Sequence, residues 1–287
     1  MELDSYLSEK QKKKKRHRRY FFGIVAALGF VLLFAGLVWL FIYSPVFRVE
    51  HIVVTGNTAV TSSSVVALLQ SNVNGTHTAL RWLLGANNML VWPSVLTAEE
   101  LKPIPQLAAV TIGKEYFLRT ITATVVERAP FGIWCFVSGG ASAERDSVAT
   151  AAAPQIDAGE TCYSFDNRGV LFGKTYDTQG SSFFAIHDYS QTGLGLGDVV
   201  VPVEFASNLI SIVEVLRSSG ISVNEVILKD IGLEEINVTT YNGPTLYFSL
   251  RFLANNDLSV LQSLMAQPNF SKLQYVDFRV ENRAYYK

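Results

Sequence analysis

The sequence predicts an α+β protein with a single N-terminal transmembrane helix and two domains after it. Three observations indicate this class: an uncharged apolar run at residues 21–43, strand and helix patterns from there to the C-terminus, and Pro130, which separates these patterns into two groups. The first group predicts the order strand, helix, helix, strand, strand over residues 46–128. The second predicts a β-rich domain with flanking helices over residues 129–287.

The apolar run at residues 21–43 is long enough to cross a membrane. A helix rises about 1.5 Å per residue, and the hydrocarbon core is about 30 Å thick. A cleaved signal peptide has a shorter apolar core of about 7 to 15 residues and a small-residue cleavage site, which is not found before Ser44 and Pro45. We therefore expect a permanent anchor, since the alternative, a buried helix of a soluble core, rarely runs this far without a charge.

A basic tail, residues 1–20, precedes this helix. Its basic side chains include Lys10, Lys12, Lys13, Lys14, Lys15, Arg16, Arg18 and Arg19. Only Arg48 lies close after the helix, so the positive-inside bias places the tail in the cytoplasm and the bulk of the chain outside it. A basic run can also bind nucleic acid, but beside a membrane helix it more simply pairs with anionic lipid headgroups. We expect neither nucleic acid nor a small-molecule substrate.

The first domain begins with an alternating segment that predicts a strand ending at Gly56. Its apolar residues, expected on one buried face, are Phe47, Val49 and Val53. A helix follows with Thr61 or Ser62 as its N-cap, and a second short helix over residues 94–101 ends before Pro103. The domain closes with two adjacent strands, which we expect to form a hairpin because Val, Ile and Thr are abundant in them. These strands cover residues 107–116 and 118–127.

The second domain begins with a strand at residues 131–137, followed by an Ala-rich segment, about residues 138–160, that we interpret as a mobile loop. Strand patterns resume on both sides of a turn at Gly169, and a helix ends at Gly220. Two further strands flank Asn242-Gly243, which is a hairpin signal. The remaining elements are a helix beginning near Asn256 or Asp257 and ending before Pro268, and one final strand from residue 273 to about 285.

Cys135 and Cys162 are the only cysteines, and both fall on predicted strands in the outer compartment, where disulfides persist. If these strands are antiparallel neighbours, the two residues are cross-strand partners within disulfide range. The alternative is a pair of buried free thiols.

No pattern in the sequence indicates catalysis, a cofactor or a metal. The four histidines, His17, His51, His77 and His187, have no second ligand at metal-binding spacing. The glycine-rich run at residues 193–197 resembles a phosphate loop but lacks the strand and helix around it, so we interpret it as a turn. Nucleophile and paired-carboxylate motifs are also missing, which favours a protein without enzymatic activity.

The order of segments resembles the FtsQ family of bacterial division proteins, called DivIB in some lineages. Three segments carry the resemblance: residues 49–57 (VEHIVVTGN), which are similar to the first strand of a POTRA domain, residues 127–130 (ERAP), similar to its closing sequence, and residues 275–279 (YVDFR) near the C-terminus. Val280 departs from the pattern, because family members often have an aromatic residue there. The resemblance extends over nearly the whole chain.

The resemblance implies a scaffold without enzymatic activity in the bacterial cytoplasmic membrane at the division septum. Such a scaffold joins FtsB, FtsL and other membrane division proteins and helps regulate septal cell-wall synthesis, and its C-terminal region receives FtsB. Strand addition to an open sheet edge supplies a mechanism. Alternation in the final strand places Val276, Phe278 and Val280 inward. The candidate partner-binding residues are Tyr275, Asp277, Arg279, Glu281 and Tyr285.

Two other functions are compatible with the sequence. One is a POTRA-bearing protein of transport or outer-surface assembly, although such proteins usually continue into a membrane β-barrel, and no series of lipid-facing strands ends this chain. The other is a membrane-anchored cell-wall enzyme whose active site has no recognisable motif.

Overall fold

The structure is a computed structural model that describes residues 2–75, 78–137, 160–176, 184–190 and 193–287, with side chains of the first helix described from Tyr20 to Ile42. It is a mixed α+β structure with one apolar N-terminal helix and a β-rich body, as predicted. The chain divides into two compact units. The first comprises Met1–Leu96 and Val110–Val125, and the second comprises Thr97–Ala109 and Val126–Lys287.

Helix α1 extends over Glu2–Tyr43 and contains the apolar segment. Tyr20–Ile42 has a mean hydropathy of 2.7 and no buried share, so its length and composition suit a membrane span. A membrane anchor and a signal sequence share these properties.

The first unit is built around a three-stranded sheet in the order β1-β3-β2. Its strands are β1 (His51–Thr55), β2 (Leu107–Glu115) and β3 (Thr120–Glu127). Strand β1 runs parallel to β3, while β2 and β3 are neighbours joined by a short turn. A connection this short is possible only between antiparallel strands, so β2 and β3 form the predicted hairpin.

Strand β1 differs from the prediction in its start and in its buried face. Pro45–Phe47 form a 3₁₀ turn, capped by the Ser44 side chain, and the strand begins only at His51. Phe47 and Val49 are half-buried, but within β1 the half-buried residue is Ile52 and Val53 is exposed, so the prediction was wrong for Val53. This turn begins at a proline, so the strand does not extend back to Phe47 as predicted.

Among the described residues, three α-helices lie between β1 and β2, one more than predicted: α2 (Ser62–Gly75), α3 (Ala79–Leu84) and α4 (Ala98–Leu101). Thr61 accepts the Ser64 N–H with its hydroxyl, as expected of an N-cap. Helix α4 begins only after Thr97, which forms a capping box with Glu100. The residues before Thr97 pair with β2, because the Ile112 N–H donates to the Ser94 carbonyl.

The second unit contains a nine-stranded mixed sheet in the order β12-β11-β10-β9-β8-β7-β4-β5-β6. The strands are β4 (Gly132–Val137), β5 (Glu160–Phe165), β6 (Leu171–Thr175), β7 (Ala185–Asp188), β8 (Val223–Leu228), β9 (Glu235–Thr240), β10 (Thr245–Ser249), β11 (Tyr275–Val280) and β12 (Arg283–Tyr286). The predicted loop at 138–160 lies outside the described residues except for Glu160, which begins β5. Strands β7 and β8 were not predicted.

One face of this sheet forms the core with two helices, α5 (Val203–Ser219) and α6 (Asp257–Met265). Trp134 is fully buried, and Phe248 stacks on Phe278 with ring centroids 5.1 Å apart. Gly220 ends α5 in the left-handed conformation with φ 72°, which explains the predicted stop.

The predicted final strand is two strands. Glu281 and Asn282 reverse the chain after β11, and Asn282 has a positive φ of 58°, which asparagine tolerates better than most residues. Strand β12 then returns antiparallel beside β11 and occupies the sheet edge. Val280, predicted to face inward, is exposed because β11 ends there.

Candidate partner-binding surface

A single row of side chains crosses the open face of the nine-stranded sheet, opposite the helices. The strand registers align its members in this order: Tyr285, Asp277, Tyr247, Asn237, Ile227, His187, Cys135 and Cys162. Side chains alternate between the faces of a strand, so the neighbours of these residues point into the core. The candidate residues therefore lie at one end of a continuous face.

Arg279 is the best-fixed side chain at that end. Its Nε and Nη2 donate to the two carboxylate oxygens of Asp277 at 2.9 and 2.6 Å. Its Nη1 donates to Glu235 of β9 at 2.9 Å, and the guanidinium lies 5.0 Å from the Tyr247 ring centroid. Arg279 thus connects β11 to β9 across the intervening strand β10.

This arrangement stabilises the charged forms of both partners. The Arg279 side-chain hydrogen bond holds the pKa of Asp277 below its usual value, against the opposing effect of burial. The same hydrogen bond, together with Glu235, raises the pKa of Arg279. Because the Arg279 side chain is still 37% exposed, it presents a preorganised cation with two neighbouring carboxylates to any partner.

Aromatic side chains accompany this charged group. The rings of Tyr247 and Tyr275 lie 6.2 Å apart, and Tyr285 is exposed on the neighbouring strand β12. The structure therefore brings together four of the five predicted residues, Tyr275, Asp277, Arg279 and Tyr285. Glu281 is exposed in the turn after β11, outside the alternation that was predicted to align it.

One edge of the sheet lies on β12, and the other lies on β6. The Lys287 N–H donates to the Tyr275 carbonyl, and the Lys287 carbonyl accepts from the Gln274 N–H at 2.6 Å. Since successive residues of an antiparallel strand point their backbone groups in opposite directions, the N–H and C=O of Tyr286 point away from β11. Strand β11, predicted as the edge, is instead paired on both sides, with β10 and β12.

The opposite part of the row contains a cluster of ionisable side chains that could not be predicted from the sequence. His187 Nε2 lies 3.2 Å from Glu160, and its Nδ1 lies 3.6 Å from Glu225. The Cys135 sulfur belongs to the same cluster, but it is bonded to Cys162, so it offers no thiolate for a metal. The members come from different strands, far apart in sequence, which hid them from spacing arguments.

Cys135 and Cys162 form a disulfide in the structure, with their Cα atoms 4.0 Å apart. They are direct partners in the antiparallel pair of β4 and β5, which is the register that cross-strand bonding requires. Their bond connects the strands on either side of residues 138–159.

Comparison with known proteins adds no assignment. Neither a protein-family model nor a curated protein matches the chain.

Proposed function

We propose that this chain is a non-enzymatic scaffold of the FtsQ type, anchored in the bacterial cytoplasmic membrane by α1, that binds FtsB and FtsL at the division septum. By holding these and other membrane division proteins together, it helps regulate septal cell-wall synthesis. The observation that carries this proposal is the open edge of β12 beside the Asp277–Arg279 pair. An edge strand accepts a partner strand through its outward backbone groups.

The first unit supports the same proposal. Its helices α2 and α3, and the sheet order β1-β3-β2, are compatible with the POTRA-like domain that the resemblance implies. We infer that this domain recruits the protein to the division site through other membrane partners. The apolar segment Tyr20–Ile42 supports an anchor that keeps both units at the membrane.

Strand addition at β12 explains how one short strand can recognise a partner. Main-chain hydrogen bonds to Tyr286 supply affinity that does not depend on the partner's side chains. Specificity then depends on side chains beside the edge, where Tyr285 and the Arg279 cation lie on one face. Because Glu235 and Asp277 already orient Arg279, little side-chain entropy is lost when a partner binds it.

The decisive experiment compares two variants of one edge residue, of which only one loses the backbone donor. The full chain is co-expressed with FtsB and FtsL of the same organism and purified in detergent. Tyr286→Pro removes the outward N–H and is expected to weaken association at least about tenfold. The matched variant Tyr286→Ala keeps that N–H and is expected to bind close to wild type. Equal binding by all three proteins would exclude β12 as the partner edge.

A double variant tests the side chains. We expect Tyr275→Ala combined with Arg279→Ala to weaken FtsB binding, because both residues lie on the open face. Arg279 also holds Asp277 and Glu235, so thermal unfolding of each variant must accompany the binding measurement.

Depletion of the protein is expected to give filamentous cells. The purified chain is expected to show no cell-wall hydrolase activity. Hydrolysis by the purified chain would favour the alternative of a membrane-anchored enzyme.

A further inference from the structure

Two exposed apolar segments lie in the first unit. The turn between β2 and β3 contains Phe117, which is 95% exposed, and Leu118. Helix α3 contains Trp82, which is 87% exposed, between the exposed residues Leu80 and Leu83. Large apolar side chains grouped in this way on a surface mark an interaction site.

Ring contacts join the β2–β3 turn to the end of the apolar helix. Phe41, one residue before the end of the apolar segment, lies 5.3 Å from the Phe47 ring, which lies 5.7 Å from the Tyr116 ring. The Tyr116 ring is thus no more than about 11 Å from the Phe41 ring, while headgroups extend about 5 to 8 Å beyond the hydrocarbon core. The turn therefore lies close to the outer end of the apolar helix.

Backbone hydrogen bonds fix this relationship. The Glu50 N–H donates to the Arg119 carbonyl at 2.9 Å, and the Val49 N–H donates to the Asn87 carbonyl at 2.8 Å. The Asn88 side chain reaches the Phe41 carbonyl at 3.1 Å. The chain leaving α1 is thus bound on one side to the β2–β3 turn and on the other to the loop that follows α3.

The chemistry of both segments suits a bilayer interface. Trp and Phe favour the boundary between headgroups and acyl chains, and Trp82 and Phe117 are residues of these types. Arg119 is the charged residue of the β2–β3 turn, and its ion pair with Glu50, at 2.9 Å, offsets its charge. Phe117 can enter the interface without burying an unpaired ion.

We propose that Phe117, Leu118 and the α3 residues around Trp82 insert into the outer headgroup region and seat the first unit on the lipid surface. This inference rests on the membrane anchor of the proposed function. The inference goes beyond the proposed function, because the anchor fixes only where the chain leaves the bilayer. Three contacts, α1, the turn and α3, then fix the orientation of the first unit toward its partners.

Nitroxide labelling of the full chain in vesicles tests the proposal. The vesicles contain phosphatidylcholine and phosphatidylglycerol, and each variant carries one added cysteine, since the native pair is joined as a disulfide. Phe117→Cys and Trp82→Cys report on the two segments. Thr124→Cys is the water-exposed control, about 13 Å along β3 from its first residue. Leu32→Cys, in the middle of the apolar helix, reports on the anchor.

Collision rates with oxygen and with a water-soluble nickel chelate distinguish the outcomes. We expect labels at 117 and 82 to collide with the chelate at least about threefold less often than the label at 124. A label at 117 as accessible as at 124, with 32 protected, overturns this inference and leaves the anchor standing; a protein partner would then be the occupant. A label at 32 exposed to the chelate overturns the anchor and the inference together.

Discussion

Arg128 and Asp166 form an ion pair in the interior of the second unit, where their side chains are only 10% and 5% exposed. Arg128 Nε also donates to the Pro105 carbonyl at 2.9 Å. The second carboxylate oxygen of Asp166 accepts the N–H groups of Arg168 and Val170, each at 2.9 Å. Each charge therefore has further polar neighbours, as a buried ion needs.

Removal of one partner from this pair is expected to destabilise the protein strongly. Arg128→Ala leaves the Asp166 carboxylate buried without its cation, at a cost of about 3 to 5 kcal/mol in the free energy of unfolding. Urea unfolding of the full chain measures it. The matched control is Arg251→Ala, which breaks the more exposed pair with Glu234 and should cost less than about 1 kcal/mol. Similar losses in both variants would refute the structural role of the Arg128 pair.

This pair also shows which contacts can be predicted from the sequence and which cannot. Arg128 belongs to the segment that carried the family resemblance, yet its partner is 38 residues away, and no periodicity connects them. Burial of one face imposes an alternation that the sequence records, as in β10 and at residues 275–279 of β11. The short strand β7 was missed, since it has four residues and its position depends on parallel pairing with β4 and β8.

Within the candidate surface, the residues of β11 could be predicted from the sequence. Alternation in β11 identified Tyr275, Asp277 and Arg279. Glu235 and Tyr247, which hold Arg279 in place, come from β9 and β10, and only the tertiary pairing of strands brings them there. The reversal at Asn282 depends on a local left-handed residue, which interrupts the pattern too briefly to be recognised.

The disulfide is expected to contribute about 3 to 4 kcal/mol to stability, because it restricts the unfolded chain across a separation of 27 residues. Mass-spectrometric mapping of the non-reduced protein should find one peptide pair joined through Cys135 and Cys162. Cys135→Ala combined with Cys162→Ala should lower the thermal midpoint, and a reductant should then have no additional effect. Alkylation of both thiols without reductant would disprove the bond.

Gly56 is required for the close approach of two strands. Its φ is +83°, and a Cβ built there would overlap the Val125 carbonyl. Gly56→Ala is expected to lower the free energy of unfolding by about 2 to 4 kcal/mol, since it adds a backbone clash to conformational strain. Gly85 has a similar φ of +81° but nothing within 4 Å of its would-be Cβ. Gly85→Ala, which adds strain at φ +81° and ψ 162° without a clash, should cost less than Gly56→Ala, about 1 to 3 kcal/mol, and equal losses would remove the packing argument.

Asp257 is expected to make the stability of the second unit decrease as the pH rises. It begins α6 with only 7% of its surface exposed, and burial raises its pKa to about 6. The unfolded chain has the lower pKa of 3.8, so between pH 4 and 6 the folded state binds more protons than the unfolded state. Stability from this group is therefore highest near pH 4, falls up to pH 6, and stays level above it.

Asp257→Asn tests this dependence, because the amide is neutral throughout. The variant should match wild type near pH 4 and exceed it above pH 6 by about 1 to 3 kcal/mol, an amount reduced by the attraction of the α6 N-terminus for a negative charge. Urea unfolding at a series of pH values gives the difference curve, in which titrations common to both proteins cancel. Glu281→Gln, at an exposed turn position, controls for the loss of one carboxylate. A flat difference curve, or an Asn variant less stable at neutral pH, would show that the ionised Asp257 is accommodated in the folded state.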